Sequence, residues 1–133
     1  MENEILKTLS ECRIDDKFAV GNDLVFMPVF QLSLTDVFKH KVYTPAEMTY
    51  CDLFDNSLLR YASTWAAKEA VYKAVKQISN AGLAWKKIEI IREKTAGRPH
   101  VIMHQYPGKY DISVTISHDG DYVWAIALIK QSC

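Results

Sequence analysis

The chain has 133 residues, 49% hydrophobic and 24% charged, and its 16 basic side chains balance 16 acidic ones. This size and composition predict one soluble globular domain, and the zero net charge gives no overall field that would favour nucleic acid or an anionic membrane. Since no signal peptide and no apolar run near ~20 residues is found, we predict a cytoplasmic protein without a nucleic-acid or membrane partner.

The three cysteines predict neither a disulfide framework nor a structural zinc site. Cys12, Cys51 and Cys133 are odd in number and include no Cys-x-x-Cys spacing. We therefore expect idle or buried thiols in a reducing compartment.

The first strand carries an acid where packing would favour an apolar residue. Residues 1–17 form an extension that we expect to be helical over 2–12, and residues 18–133 form the domain. The sequence of residues 18–26 predicts a strand that contains Asp23. A carboxylate inside a buried strand needs a cation, a metal or several donors. Alternatively, Asp23 lies at a strand end or a bulge beside Gly21.

Helix signals follow this strand. Pro28 ends or bends the strand, and a helix is predicted over residues 32–41. Thr44, Pro45 and Glu47 then have the spacing of a helix start with a capping box, which predicts a short helix to about Leu53.

A long central helix is predicted over residues 61–76, which contain neither Gly nor Pro. Placing residues 100° apart gives it one broad face of small side chains; these are Ala66, Ala67, Ala70, Val71, Ala74 and Val75. The opposite face carries Trp65, Glu69, Tyr72 and Lys73, with Lys68 at its edge, so that Glu69 lies between the two aromatic side chains. Glu69 is either a partly desolvated carboxylate that needs a cation or half of an i, i+4 surface ion pair with Lys73, worth about 0.3–0.5 kcal/mol.

Four strands complete the predicted fold. They cover residues 85–93, 100–105, 111–117 and 122–130, and Asp119 and Gly120 form a hairpin turn between the last two. The long apolar run of the last strand predicts burial on both faces. The order of elements predicts an α+β domain in which the long helix packs on a mainly antiparallel sheet.

Several polar residues could form a metal-assisted diphosphate site. Asp23 and Glu69 are the minimum pair of carboxylates for a Mg²⁺ ion that keeps water and phosphate ligands. The cations that could offset phosphate charge are Lys68, Lys73, Arg98 and His118, and Gly97 allows backbone to approach an anion closely. The sequence contains no P-loop, dinucleotide fingerprint or nucleophile elbow.

Five ordered segments resemble the 4′-phosphopantetheinyl transferases of the holo-[acyl-carrier-protein] synthase type. Residues 21–25 resemble the family's Gly-x-Asp-x-Val strand, and residues 43–51 its Phe-(Ser/Thr)-x-x-Glu-x-x-Tyr-Cys segment. Residues 65–73 match (Trp/Phe)-x-x-Lys-Glu-(Ala/Ser)-x-x-Lys. Residues 97–99 (Gly-Arg-Pro) and 116–119 (Ile-Ser-His-Asp) match the later segments.

The resemblance implies transfer of phosphopantetheine from coenzyme A to a serine of an apo acyl carrier protein or a related carrier. It implies that Asp23 and Glu69 are Mg²⁺ ligands, that Glu69 is the candidate base for the carrier serine, and that Lys73 contacts the diphosphate. By the same resemblance further residues would bind coenzyme A; these are Lys68, Gly97, Arg98, Pro99, Ser117 and His118. Of these, Lys68, Arg98 and His118 would hold phosphates, with Arg98 and His118 near the adenosine and 3′-phosphate end. Small members of the family are trimers that bind coenzyme A between subunits, so a homotrimer is implied.

Carrier docking departs from the family pattern. Phe26 and Val29 stand where the family usually has a Glu and the Arg that meets the carrier's acidic helix, while residues 39–41 (Lys-His-Lys) offer another basic patch or a solvated helix end. Two alternatives to the enzyme remain open: a non-catalytic oligomer that binds coenzyme A or a nucleotide, and a structural trimer.

Overall fold

The computed structural model describes residues 18–93 and 97–132, and the predicted N-terminal helix lies outside them. Within this part of the chain the strands are β1 (Phe18–Phe26), β2 (Ile88–Ile91), β3 (His100–Met103), β4 (Tyr110–Asp119) and β5 (Tyr122–Gln131). The α-helices are α1 (Met27–Ser33), α2 (Asp36–Val42), α3 (Pro45–Asp52) and α4 (Ser57–Ile78), and a 3₁₀ turn covers Trp85–Lys87.

Helix α4 packs on one face of a three-stranded antiparallel sheet in the order β1-β5-β4, and β2 and β3 form a separate antiparallel hairpin. The small face predicted for the long helix is buried against this sheet. The prediction of an α+β domain with a long central helix on a mainly antiparallel sheet is therefore confirmed.

Gly21 of β1 is the point of closest approach between sheet and helix. A Cβ atom at this position would lie 2.0 Å from the carbonyl oxygen of Ala70 and 2.7 Å from the backbone nitrogen of Ala74. Both contacts are to helix backbone, which cannot rotate away as a side chain could. The close contact of β1 with α4 therefore depends on glycine at position 21.

Replacing Gly21 with Ala should separate β1 from α4 and lower the free energy of unfolding by about 1–3 kcal/mol or more, since overpacking forces backbone shifts. Urea unfolding of the variant measures the loss. Gly82→Ala is the matched control, because a Cβ there meets nothing within 4 Å. Equal stability of the Gly21 and Gly82 variants would contradict this packing.

Strand β5 differs from the prediction that it is buried on both faces. Its side chains alternate between buried and exposed, because α4 covers only the inner face. Trp124, Ile126 and Leu128 point outward and are exposed despite being apolar. Composition alone could not separate a face covered by the chain's own helix from one left open.

Other element boundaries shift by a few residues. The predicted helix 32–41 is two helices, because Thr35 caps a new helix, accepting a hydrogen bond from the Phe38 backbone N–H at 3.2 Å. The first three residues of the predicted strand 85–93 form the 3₁₀ turn instead. The capping box at Thr44 and Glu47 forms as predicted.

Two predictions made for the whole chain, on membrane-spanning segments and on the cysteines, can be compared with the described residues. Among the described helices, none is long and apolar enough to cross a membrane. Cys51 has a free, buried thiol, and burial raises its pKa to about 11, as expected of an unreactive structural cysteine.

Candidate active site

Asp23 lies in the middle of β1, in regular register with Ala125 of β5 and on the strand face that meets α4. The alternative that it occupies a strand end or a bulge is therefore wrong. Lys73 of α4 donates a hydrogen bond to Asp23 Oδ1 at 2.9 Å and another to the Asn22 carbonyl oxygen at 3.2 Å. The side chain of Asp23 is 8% exposed and that of Lys73 is 51% exposed. Lys73 thus pairs with Asp23 across two elements, rather than with Glu69 along its own helix.

Glu69 lies beside this pair and is half-buried. The pKa of Glu69 is raised to about 8; burial is the largest cause, the neighbouring Asp23 carboxylate adds to the shift, and the charge of Lys73 opposes it. The Asp23 Oδ2 atom is buried without a hydrogen-bond partner among the described residues. A buried carboxylate oxygen with no donor, next to a second carboxyl that resists ionisation, fits a divalent cation with hard oxygen ligands.

The described residues contain no group of three or more metal-binding side chains. Two carboxylates suit Mg²⁺, which keeps several waters and takes phosphate oxygens from a substrate. Both carboxylates line a groove of about 410 Å³. Its other walls are Leu24, Val25, Phe26, Val29, Phe30, Ser33, Phe38 and Trp65. Trp65 is therefore a wall beside Glu69, as predicted, whereas Tyr72 does not line the groove and packs against Trp85 instead.

Without metal, the stability of the protein should fall as pH rises from about 5 to 9. Folding raises the Glu69 pKa from 4.5 to about 8, so the folded state holds more protons than the unfolded state across this window. Urea unfolding in the presence of a chelator, compared with Glu69→Gln, isolates this contribution. As pH rises, we expect the free energy of unfolding of the wild type to fall relative to that of Glu69→Gln, which carries no ionisable group at this position. Parallel pH profiles would contradict the assignment.

Lys68 does not lie in this site. Its amine is fully buried and donates to Glu47 Oε1 at 2.8 Å and to the Ile88 carbonyl oxygen. Burial lowers its pKa, and Glu47 partly offsets that shift. The prediction that Lys68 holds a phosphate does not fit this placement, because a side chain with no exposed surface cannot reach a ligand.

The Gly-Arg-Pro and Ser-His residues lie away from the two carboxylates. Gly97, Pro99 and His118 line a separate cleft of about 320 Å³, which shares no lining residue with the groove at Asp23. Arg98 is exposed and donates to Ser113 Oγ at 3.2 Å. Ser117 lies beside His118 in a recess on the outer face of the sheet; the rest of its lining is Leu24, Asp119, Tyr122 and Trp124.

Sequence reasoning missed two arginines in the cleft at Gly97. Arg60 of α4 and Arg92, which follows β2, both line it. Neither lies in a matched motif, and basic residues on a helix and after a strand usually indicate solvated surface. Their convergence arises only from the packing of β2 against α4.

The chain resembles known proteins over most of its length. The family model of the 4′-phosphopantetheinyl transferase superfamily matches residues 19–127. The holo-[acyl-carrier-protein] synthase of Koribacter versatilis is 32% identical over 121 residues, which cover 84% of this chain and 96% of that protein. The synthase of Moorella thermoacetica is 39% identical over 99 residues, covering 69% and 76%.

A solved structure gives the same result for the fold. The ACPS-CoA complex from Chronobacterium ammoniagenes superposes with a TM-score of 0.70 at 28% identity, covering 87% of this chain and 98% of that one. The fold and the sequence thus agree on one family.

Proposed function

The chain belongs to the 4′-phosphopantetheinyl transferase superfamily as an enzyme of the holo-[acyl-carrier-protein] synthase type, and we propose that it transfers phosphopantetheine from coenzyme A to a serine of an apo acyl carrier protein or a related carrier. The observation that carries the proposal is that Asp23 and Glu69 line one groove and that Lys73 is hydrogen-bonded to Asp23 beside it. Relatives named as synthases for this carrier, and a neighbour solved with coenzyme A, support the substrates.

Asp23, Glu69 and Lys73 each have a role in this reaction. Asp23 and Glu69 would hold Mg²⁺, which when bound would neutralise charge on the diphosphate. Lys73 is placed to contact the diphosphate, since half of its side chain remains exposed beside the carboxylates. Glu69 accepts the proton of the carrier serine as a carboxylate, the form that a cation bound beside it would favour. The serine oxygen bonds to phosphorus as the diphosphate P–O bond breaks, and adenosine 3′,5′-bisphosphate leaves.

Intact-mass analysis of apo carriers incubated with the protein, coenzyme A and Mg²⁺ tests this function. We expect a mass increase of one phosphopantetheine group on the carrier serine. A well-folded protein that modifies no carrier in a broad panel would contradict the proposal.

The alternative, a non-catalytic binder of coenzyme A, predicts tight binding without metal and without turnover, which calorimetry in the presence and absence of Mg²⁺ would reveal. The two carboxylates count against it, because binding an anion does not call for an acidic pair. A purely structural trimer should show no heat of binding at all.

We also propose that the protein is a homotrimer with sites between subunits. The outer faces of β1 and β5 present paired exposed apolar side chains, such as Leu24 opposite Trp124 and Phe26 opposite Tyr122. Adjacent exposed apolar side chains on one sheet face are typical of a protein interface. His118 lies at the edge of this apolar face, in the recess beside Leu24. A partner subunit that covers the face would therefore come close to a residue that we assign to coenzyme A binding.

Replacing Trp124 with Glu should dissociate the assembly, because a carboxylate would be buried in the interface. Light scattering after size exclusion should show a fall from three chains to one. Val37→Glu is the control, since Val37 is exposed on α2, away from the sheet. An unchanged mass for the Trp124 variant would contradict this interface.

The surface available for the carrier is not basic along α1. Val29 and Leu32 are exposed on that helix, which has no basic residue in its last turn, and the basic residues 39–41 end α2 instead. We therefore propose that the carrier is held near the groove by apolar contacts, with His40 and Lys41 as exposed basic side chains at the end of α2. The cytoplasmic location remains a prediction from the sequence.

A further inference from the structure

Helix α4 is tied to strand β1 by side chains that lie one helical turn apart. Glu69, Lys73 and Gln77 occupy positions i, i+4 and i+8 and therefore share one face of the helix. Lys73 donates a hydrogen bond to the Asn22 carbonyl oxygen at 3.2 Å. Gln77 donates to the Val20 carbonyl oxygen at 2.6 Å. Four helical residues and two strand residues both rise about 6–7 Å, so these two bonds hold the strand and the helix in one alignment.

The other hydrogen bond of Lys73 determines which oxygen of Asp23 stays available. The Lys73 ammonium lies 2.9 Å from Asp23 Oδ1. The second oxygen, Oδ2, is buried and has no hydrogen-bond partner among the described residues. Asp23 lines the same groove as Glu69, and its side chain is only 8% exposed. Since a buried carboxylate oxygen without a donor is costly, Oδ2 is the oxygen that a cation in the groove would bind.

Lys73 can hold Asp23 and still face a substrate. A lysine ammonium has three N–H donors, and the two hydrogen bonds to Asn22 and Asp23 use two of them. Half of the Lys73 side chain is exposed. The bond to Asp23 therefore does not exclude the proposed contact of Lys73 with the diphosphate, and Lys73 acts in addition as a positioning residue for Asp23.

We propose that Lys73, by engaging Asp23 Oδ1, leaves Asp23 a single free oxygen and thereby makes the site select Mg²⁺ over Ca²⁺. The inference rests on the Mg²⁺ site of the proposed function. Ca²⁺ takes more oxygen ligands than Mg²⁺ and often binds both oxygens of one carboxylate, whereas Mg²⁺ requires near-octahedral geometry and keeps several waters. A carboxylate that offers one oxygen meets the requirement of Mg²⁺ and denies Ca²⁺ a bidentate ligand.

Displacement of bound Mn²⁺, followed by the EPR signal of the free ion, measures the dissociation constants of Mg²⁺ and Ca²⁺ without coenzyme A or a carrier. Lys73→Met keeps a long unbranched side chain but removes the charge and both hydrogen bonds. Loss of a positive charge beside the site raises the affinity for both ions, so the ratio of the two dissociation constants is the quantity that tests the proposal. We expect the preference for Mg²⁺ over Ca²⁺ to fall about 10-fold or more, as for the loss of one charged hydrogen bond.

Gln77→Met is the matched control. It removes the neighbouring bond between α4 and β1 and leaves the bond from Lys73 to Asp23 in place, so its preference for Mg²⁺ should equal that of the wild type. Lys73→Ala is a second variant with the same expected result as Lys73→Met, and alanine is a strong helix former. Melting temperatures verify that the variants are folded before the ions are titrated.

The binding measurement keeps this inference separate from the outcome for transfer. A wild type that prefers Mg²⁺ and loses the preference only in the Lys73 variants would support the role of Lys73 even if no carrier were modified. Three results would overturn the inference: a wild type that binds the two ions equally, Lys73 variants that gain affinity for both ions by the same factor, or an equal loss of preference in Gln77→Met.

Discussion

Replacing Lys68 with Ala should lower the free energy of unfolding by about 3–5 kcal/mol, the usual cost of removing one partner of a buried ion pair. Both side chains of the Lys68–Glu47 pair are 0% exposed. Glu47 also accepts hydrogen bonds from the backbone nitrogens of Thr44 and Ile90, at 2.9 and 2.8 Å. The pair therefore ties α4 to the start of α3 and to β2, and the variant would leave the Glu47 charge buried without its cation.

Denaturant unfolding measures this loss in stability, and two further variants serve as controls. Lys86→Ala, at an exposed position, should change stability by no more than about 0.5 kcal/mol. The double variant Glu47→Gln with Lys68→Met should recover part of the loss, because no unpaired charge remains. If Lys68→Ala weakened coenzyme A binding while leaving stability unchanged, Lys68 would be a phosphate ligand after all.

Removing either carboxylate of the groove should have the largest effect on activity. Asp23→Asn and Glu69→Gln each keep the shape of the side chain but halve the charge available to a divalent cation. We expect the transfer rate to fall by at least about 100-fold in each variant, since positioned general-base and electrostatic groups contribute about 10²–10⁴-fold. Glu69→Gln should remain well folded, because Glu69 is half-buried and its ionisation opposes folding.

Local patterns predicted those parts of the structure that depend on neighbours in sequence. The spacing of small residues predicted which face of α4 is buried. The spacing of Thr44 and Glu47 predicted a capping box, which forms as expected. An acid in the middle of an apolar strand indicated that Asp23 needed a partner, and the structure supplies Lys73 and the neighbouring Glu69.

Predictions that depended on distant partners were less successful. Lys68 pairs with Glu47, which is 21 residues away in the sequence. No local sequence pattern distinguishes such a buried lysine from one that faces a ligand. Arg60 and Arg92 meet only after β2 packs against α4. The outward side chains of β5 have the composition of a core, because an apolar face has the same chemistry whether a helix or another chain covers it.

The most direct test of the account is the intact mass of an apo carrier after incubation with coenzyme A over a range of Mg²⁺ concentrations. The wild type should produce the phosphopantetheine adduct only with divalent metal, while Asp23→Asn and Glu69→Gln should require far more metal or give no adduct. Asp55→Asn, an exposed position before α4, should match the wild type. Full, metal-independent transfer by either carboxylate variant would contradict the claim that Asp23 and Glu69 form the metal site.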